Sequence, residues 1–246
     1  MIACILPARL NSSRFPNKLL ALAEGKTVLQ RSYDSALRAQ SIDQLFVATD
    51  SQEIADHVHS FGGSVIWTSS SCVSGTERVA EALQREPKLQ HASILINLQA
   101  DHPLTSPTTL DRIAALLLEY PSTQVATAVC PLRSWEEYRS PHAVKCVMDH
   151  FHNALFFSRS PIPYQKESGN LPNGYLHIGI YGFQTSFFQK LATLPNSGLQ
   201  RCEDLEQLKL LEMGIGIKVA LVEDHALAID TPEDLEKLKE ILCRKT

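Results

Sequence analysis

No apolar run in this 246-residue chain approaches the roughly 18 residues that a membrane-crossing helix requires, so stable membrane insertion is not expected. Positive charge is not in surplus either. The 23 Lys and Arg against 27 Asp and Glu leave a formal net charge of -4, without the basic cluster that binding to nucleic-acid phosphates calls for. The six cysteines (Cys4, Cys72, Cys130, Cys146, Cys202, Cys243) include no CxxC spacing, which favours buried free thiols over a zinc ribbon or a redox pair. Neither GxxxxGK[ST] nor GxGxxG occurs, so a nucleotide, if bound, needs another cradle. The opening run Ile2–Leu6 is strand-sized and meets Pro7 and Arg9 at once; a secretory signal is not expected, and a cytoplasmic location is. Internal repeats and low-complexity stretches are missing.

What is present is a 44% hydrophobic composition, enough for a sizeable core, and an alternation of β-branched runs with helical periodicity. Ile2–Leu6, Leu45–Thr49, Val65–Trp67 and Ile94–Leu98 read as strands. Helices over about Val28–Arg38, Gln52–Phe61, Thr76–Gln84 and Pro107–Glu119 alternate with them in the βαβ rhythm of a parallel α/β layer structure. After Val125–Val129 the rhythm changes: Val144–Met148 and Ala154–Phe157 flank a short polar segment, as in an antiparallel hairpin. Ser160–Gly174 reads as a long loop. A strand over Ile178–Phe183, helices over Phe187–Leu194 and Glu203–Leu211, a strand over Ile217–Val222 and a helix starting at Pro232 complete the pattern. Thr231 is expected to cap that last helix, with Asp234 closing a capping box. The chain is read as one domain over 1–246, its nucleotide-binding half at about 1–130 and further elements at about 131–212.

Two groups of residues carry chemistry. Arg9, Arg14 and Lys18 fall within one ten-residue stretch after the first strand, among Asn11, Ser12 and Ser13. The carboxyl ends of strands in wound sheets are where ligands bind, and such cations can surround a polyphosphate. A solvated loop accounts for the same spacing. Asp101 and Asp230 are both expected at strand exits, where magnesium takes one or two carboxylates and fills its shell with phosphate oxygens and water. An Asp at a helix start such as Asp230 is also often only a local hydrogen-bond acceptor. His57/His59 and His150/His152 show HxH spacing in a polar helix and in a turn, and no metal role is assigned to them.

Several segments together carry a family resemblance. Pro7-Ala8-Arg9 with Ser13-Arg14-Phe15-Pro16-Asn17-Lys18 resembles the PAR-x-x-S-[TS]-R-[LF]-P-x-K signature of nucleotide-sugar-synthesising cytidylyltransferases. Ala48-Thr49-Asp50, Ser74-Gly75-Thr76-Glu77-Arg78, Asn97-Leu98-Gln99-Ala100-Asp101, Phe157-Ser158-Arg159, His177 to Gly182, Leu205 to Leu208 and Ile229 to Leu235 match in order the branch that acts on the acidic sugar 3-deoxy-manno-octulosonate (Kdo). The resemblance implies a three-layer nucleotide-diphospho-sugar-transferase-like fold with a mostly parallel mixed sheet and an antiparallel hairpin lobe. It also implies CMP transfer from CTP to Kdo, Mg2+ as cofactor, a role in lipopolysaccharide synthesis and a homodimer. On its terms Arg9, Arg14 and Lys18 hold the triphosphate, Thr76 and Arg78 face cytosine, and Asp101 and Asp230 hold the metal. Gln99, Arg159, His177, Tyr181 and Glu206 hold the sugar. Lys18, Asp101 and Asp230 are the expected catalytic group. The family usually has Gly where this chain has Ala100 and Glu where it has His102. Two rival readings follow from these points: another acidic sugar, such as a sialic acid, or a nucleotide-binding module without turnover.

Overall fold

Every residue of the first strand, β1 (Ile2–Ala8), is buried, as a central parallel strand covered on both faces requires. In the computed structural model, all residues are described except 11, 13, 167–168, 192–193, 196, 225–226 and 245–246. The chain divides into two compact units, Met1–Asp111 with Leu227–Thr246, and Arg112–Ala226. The sequence reading drew its internal break near residue 130.

The first unit runs through β1, the two-residue strands β2 (Leu22–Ala23) and β3 (Lys26–Thr27), α1 (Val28–Leu37), β4 (Gln44–Thr49), α2 (Gln52–Ser60), β5 (Val65–Trp67), α3 (Gly75–Arg85), β6 (Ile94–Asn97) and the start of α4 (Pro107–Glu119). Its sheet is parallel: β1 lies between β4 and β6, with Ala3 opposite Gln44 and Leu95, and β5 extends the far side of β4. Parallel strands end on one edge, so the loops after β1 and β6 share it. Hydroxyl caps fix where the helices begin. Thr27 accepts from the Gln30 N–H, Ser51 from Ile54 and Ser74 from Glu77, each cap contributing about 1 kcal/mol. The final helix, Pro232–Cys243, returns to this unit with the expected capping box of Thr231 and Asp234 and Pro232 in its first turn.

The second unit contains β7 (Val125–Pro131), α5 (Trp135–Arg139), β8 (Lys145–Met148), β9 (Ala154–Ser158), β10 (Tyr175–Gln184), α6 (Thr185–Leu191), α7 (Gly198–Glu203), α8 (Leu208–Glu212) and β11 (Ile217–Leu221). β10 pairs antiparallel with β7, β11 parallel with β7, and β8 antiparallel with both β9 and β10. The expected hairpin is β8–β9. Asp149 holds its turn by accepting from the Phe151 and Asn153 N–H groups at 2.9 and 2.7 Å.

Two expectations need correction. The helix expected over Glu203–Leu211 is shorter: α7 ends at Glu203, where Asp204 adopts the left-handed conformation (φ 51°), and helix resumes only in α8 from Leu208. None of the six cysteines is in a disulfide, but only Cys4, Cys130 and Cys146 are buried; Cys72 is intermediate, and Cys202 and Cys243 are exposed. Among the described residues no helix is long and apolar enough to cross a membrane.

Candidate active site

The loop after β1, the start of α3, the segment after β6 and Asp230 together line a cavity of about 210 Å³ in the first unit. Arg9, Arg14 and Lys18 all reach it, as do Gln99 and Asp101. Of the small polar residues expected beside these cations, Ser12 lines the cavity, and Asn11 and Ser13 lie outside the described residues.

Its centre is an ammonium between two carboxylates. Lys18 Nζ donates to Asp101 Oδ2 at 2.6 Å and to Asp230 Oδ1 at 2.8 Å, although these aspartates lie 129 positions apart in sequence. Arg14 Nη2 donates to the other Asp230 oxygen at 3.1 Å. The Ile229 N–H donates to the Asp101 carbonyl at 3.0 Å, so the two acidic segments are joined by backbone as well. Burial works against the Lys18 charge, but Asp101 and then Asp230 outweigh it and raise its pKa above the usual lysine value. Asp230 is the converse case: burial pushes its carboxyl up, yet Lys18 and Arg14 hold it below the usual carboxylate range.

The two departures from the family pattern are accommodated. Ala100 is buried, and its carbonyl accepts from Ser32 Oγ at 2.9 Å. His102 Nε2 stands 3.8 Å from Asp101 Oδ1, and burial lowers its pKa, so the imidazole is biased toward its neutral form.

The start of α3 forms another wall. Ser74 and Gly75 line the cavity, and a Cβ on Gly75 would stand 3.3 Å from Pro7 Cγ and 3.5 Å from Gln99 Oε1. Arg78 also lines the cavity, but its Nη1 is held by Asp50 at 3.1 Å and by Thr68 Oγ1 at 2.6 Å. Thr76 is buried in the first turn of α3 and is not among the cavity's lining residues. Gln99 Nε2 donates to Asn97 Oδ1 at 3.4 Å.

The remaining candidates belong to the second unit. His177 and Tyr181 share a face, as their even spacing implies, but they stand nearer than a regular strand allows. Four residues of strand span about 13 Å. Here a bulge lets Ile178 and Tyr181 take successive partners on β7, Ala128 and Thr127, and the His177 and Tyr181 ring centroids come to 5.3 Å. His177 Nε2 is 2.9 Å from Thr127 Oγ1, and its ring meets Phe157 edge-on at 4.9 Å. Burial first, then the Glu206 charge, pushes the Tyr181 hydroxyl well above its usual pKa, so it stays protonated. Glu206 is partly exposed and pairs with Lys209 at 3.2 Å. Arg159 is held by backbone: Nε donates to the Glu203 carbonyl (2.7 Å), Nη1 to that of Pro141 (3.0 Å) and Nη2 to that of Asp204 (3.3 Å).

Comparison with known proteins shows the family. Residues 3–219 match the family model for cytidylyltransferases. The 3-deoxy-manno-octulosonate cytidylyltransferase of Protochlamydia amoebophila strain UWE25 is 46% identical over 98% of this chain and 94% of its own length. That of Chlamydia trachomatis serovar A is 44% identical over 97% and 93%. The chain belongs to the 3-deoxy-manno-octulosonate cytidylyltransferase family. A solved structure of a CMP:2-keto-3-deoxy-manno-octonic acid synthetase complexed with CTP superposes with a TM-score of 0.92, at 34% identity, covering 100% of this chain and 99% of that one. A 4-diphosphocytidyl-2C-methyl-D-erythritol synthase from Anaerococcus prevotii shares the fold alone, with a TM-score of 0.65 at 15% identity.

In this cytidylyltransferase the donor set suits a hard divalent cation. Two carboxylates meet at one point, no group of three or more His, Cys, Asp or Glu suited to a metal forms among the described residues, and magnesium needs only one or two carboxylates when phosphate oxygens and water complete its shell. Sequence reasoning did not single out Asp50 and Thr68 as the holders of Arg78, Cys72 as a lining residue, or the burial of Lys145. Lys145 left a signal: it is a lone charge within the apolar run Val144–Met148.

Proposed function

We propose that this enzyme transfers CMP from CTP to the anomeric hydroxyl of Kdo, giving CMP-Kdo and pyrophosphate. The observation that carries the reading is the shared ammonium. Lys18 joins Asp101 and Asp230 inside a cavity that Arg9 and Arg14 also line. The names of the near-full-length relatives support the same substrates.

Arg9, Arg14 and Lys18 bind the triphosphate and stabilise the charge that builds on the departing pyrophosphate. Lys18 and Arg14 can do so because their present partners are side-chain carboxylates, from which a cation can turn to a phosphate. Arg78 and the start of α3 hold the nucleoside, with Gly75 permitting close approach of the base. Asp101 and Asp230 are the residues that would hold magnesium, and such an ion, when bound, supplies neutralisation of phosphate charge. On the family resemblance, Gln99, Arg159, His177, Tyr181 and Glu206 are assigned to the sugar acid. Tyr181, held protonated, donates to a sugar oxygen. The attacking hydroxyl forms the bond to the α-phosphorus as the bond to pyrophosphate breaks, and its proton passes to solvent. No side chain is needed as a covalent nucleophile, and positioning with charge neutralisation does the work. A homodimer, a cytoplasmic location and supply of activated sugar for lipopolysaccharide belong to the same reading.

The test is pyrophosphate release from CTP with Kdo, with a sialic acid in its place, and with magnesium omitted. Release with Kdo and magnesium alone is expected. Preference for the sialic acid would move the enzyme to the neighbouring branch, and CTP binding without product under saturating Kdo would leave a nucleotide-binding module.

A further inference from the structure

Lys145 is fully buried, and it is among the largest of the wholly buried side chains of the described residues. A buried ammonium has three N–H donors to satisfy, and each one left unmet is costly. Lys145 Nζ meets all three with carbonyl oxygens: Ser140 at 2.6 Å, Ala143, and Arg159 at 2.6 Å. Among the described residues it forms no ion pair. A methionine of similar length would fill this space without desolvating a charge. What the ammonium adds is direction, since it draws three carbonyls from two segments onto one point.

Both segments matter to Arg159. Its carbonyl is one of the three acceptors, its N–H donates to Glu203 Oε2 at 2.8 Å, and its guanidinium reaches the Pro141 carbonyl inside the turn that Lys145 closes. The two cations therefore interlock: Lys145 fixes the turn, and the turn fixes the guanidinium.

We propose that Lys145 is a positioning residue for the acid sugar, acting through Arg159 by locking the Ser140–Ala143 turn and the Arg159 backbone to each other. The proposal rests on the assignment of Arg159 to the sugar acid. Steady-state kinetics with CTP, Kdo and magnesium test both, using Lys145→Met, Lys145→Arg and Arg159→Gln. In Lys145→Met the KM for Kdo rises about tenfold to a hundredfold while the KM for CTP holds, and Lys145→Arg recovers part of the loss. A wild-type Kdo KM in Arg159→Gln overturns the Arg159 assignment and the proposal with it. A raised Kdo KM in Arg159→Gln beside an unchanged one in Lys145→Met overturns the Lys145 role alone. An equal rise in both KM values in Lys145→Met marks a merely structural lysine and also overturns it.

Should Lys145→Met fail to fold, the wild-type enzyme decides. Burial pushes the Lys145 pKa down to about 8, with Glu203 opposing and Arg159 reinforcing. The other titratable groups on the elements around it are Cys146 on β8, His142 in the turn, and Tyr175, His177 and Tyr181 on β10, the last held protonated by burial. Burial pushes Cys146 up to about 12, which keeps its thiol protonated. Above pH 8 the neutral amine has two N–H groups for three carbonyls, so the Kdo KM climbs and the CTP KM stays level. A Kdo KM that is flat from pH 7 to about 9.5 overturns the proposal.

Discussion

The two units use cations in opposite ways. In the first, Lys18 and Arg14 are paired with side-chain carboxylates at the wall of an open cavity. In the second, Lys145 and Arg159 are paired with backbone carbonyls, and Lys145 is fully buried. A carboxylate on a side chain can rotate and exchange its partner for a metal or a phosphate. A carbonyl in a turn cannot leave without moving the chain. The first arrangement is suited to chemistry and the second to holding shape, although both look like basic residues in polar surroundings.

If that contrast is right, removing either aspartate of the first unit's centre reduces turnover with little effect on stability, and a change confined to the second unit's apolar core does the reverse. The largest effect is expected from Asp101→Asn or Asp230→Asn: turnover falls about 10³-fold, read by pyrophosphate release, with a melting temperature close to wild type. Retained turnover would break the contrast at once. Lys18→Met is expected to lose about 10²-fold in turnover. It also leaves Asp101 and Asp230 facing each other without their cation, so its melting temperature should fall and be raised again by added magnesium, more than in the wild type. Phe188→Leu in the second unit removes a buried ring that meets Phe183 at 4.9 Å, and should cost about 1–2 kcal/mol in denaturant unfolding with turnover per folded molecule unchanged.

The smallest effect concerns pH. The folded-state pKa of Asp230 lies below 3.8, so its contribution to stability is present above that value and is lost as pH falls through the folded pKa. The folded-state pKa of Lys18 lies above 10.5, so its contribution is present below that value and is lost as pH rises through the folded pKa. Melting temperature compared between wild type and Lys18→Met should show a difference that is level from about pH 5 to 10 and shrinks at both ends.

The sequence disclosed the parts that have a period or a cap. Alternation located β1, β4 and β6, and the Thr231-Pro232-Asp234 signature placed the start of the final helix at Pro232. Motif order carried the family, and with it Lys18, Asp101 and Asp230 as one group. Hidden from it were features fixed by tertiary contact. Nothing local in Asp204 announces that it turns left-handed and ends a helix. Nothing in even spacing shows that a bulge draws His177 and Tyr181 to 5.3 Å. Whether an arginine is exchangeable or fixed also depends on its partners, which for Arg159 are carbonyls contributed by residues 141, 203 and 204.

The central claim is that Asp101 and Asp230 act as one centre, and combining their substitutions tests it most directly. Groups acting as a unit are grossly non-additive. Turnover of Asp101→Asn/Asp230→Asn, measured by pyrophosphate release beside each single variant, should be no lower than that of the weaker single variant. Losses that multiply, so that the double variant falls by the product of the two single effects, would mean two independent contributions and would contradict the account.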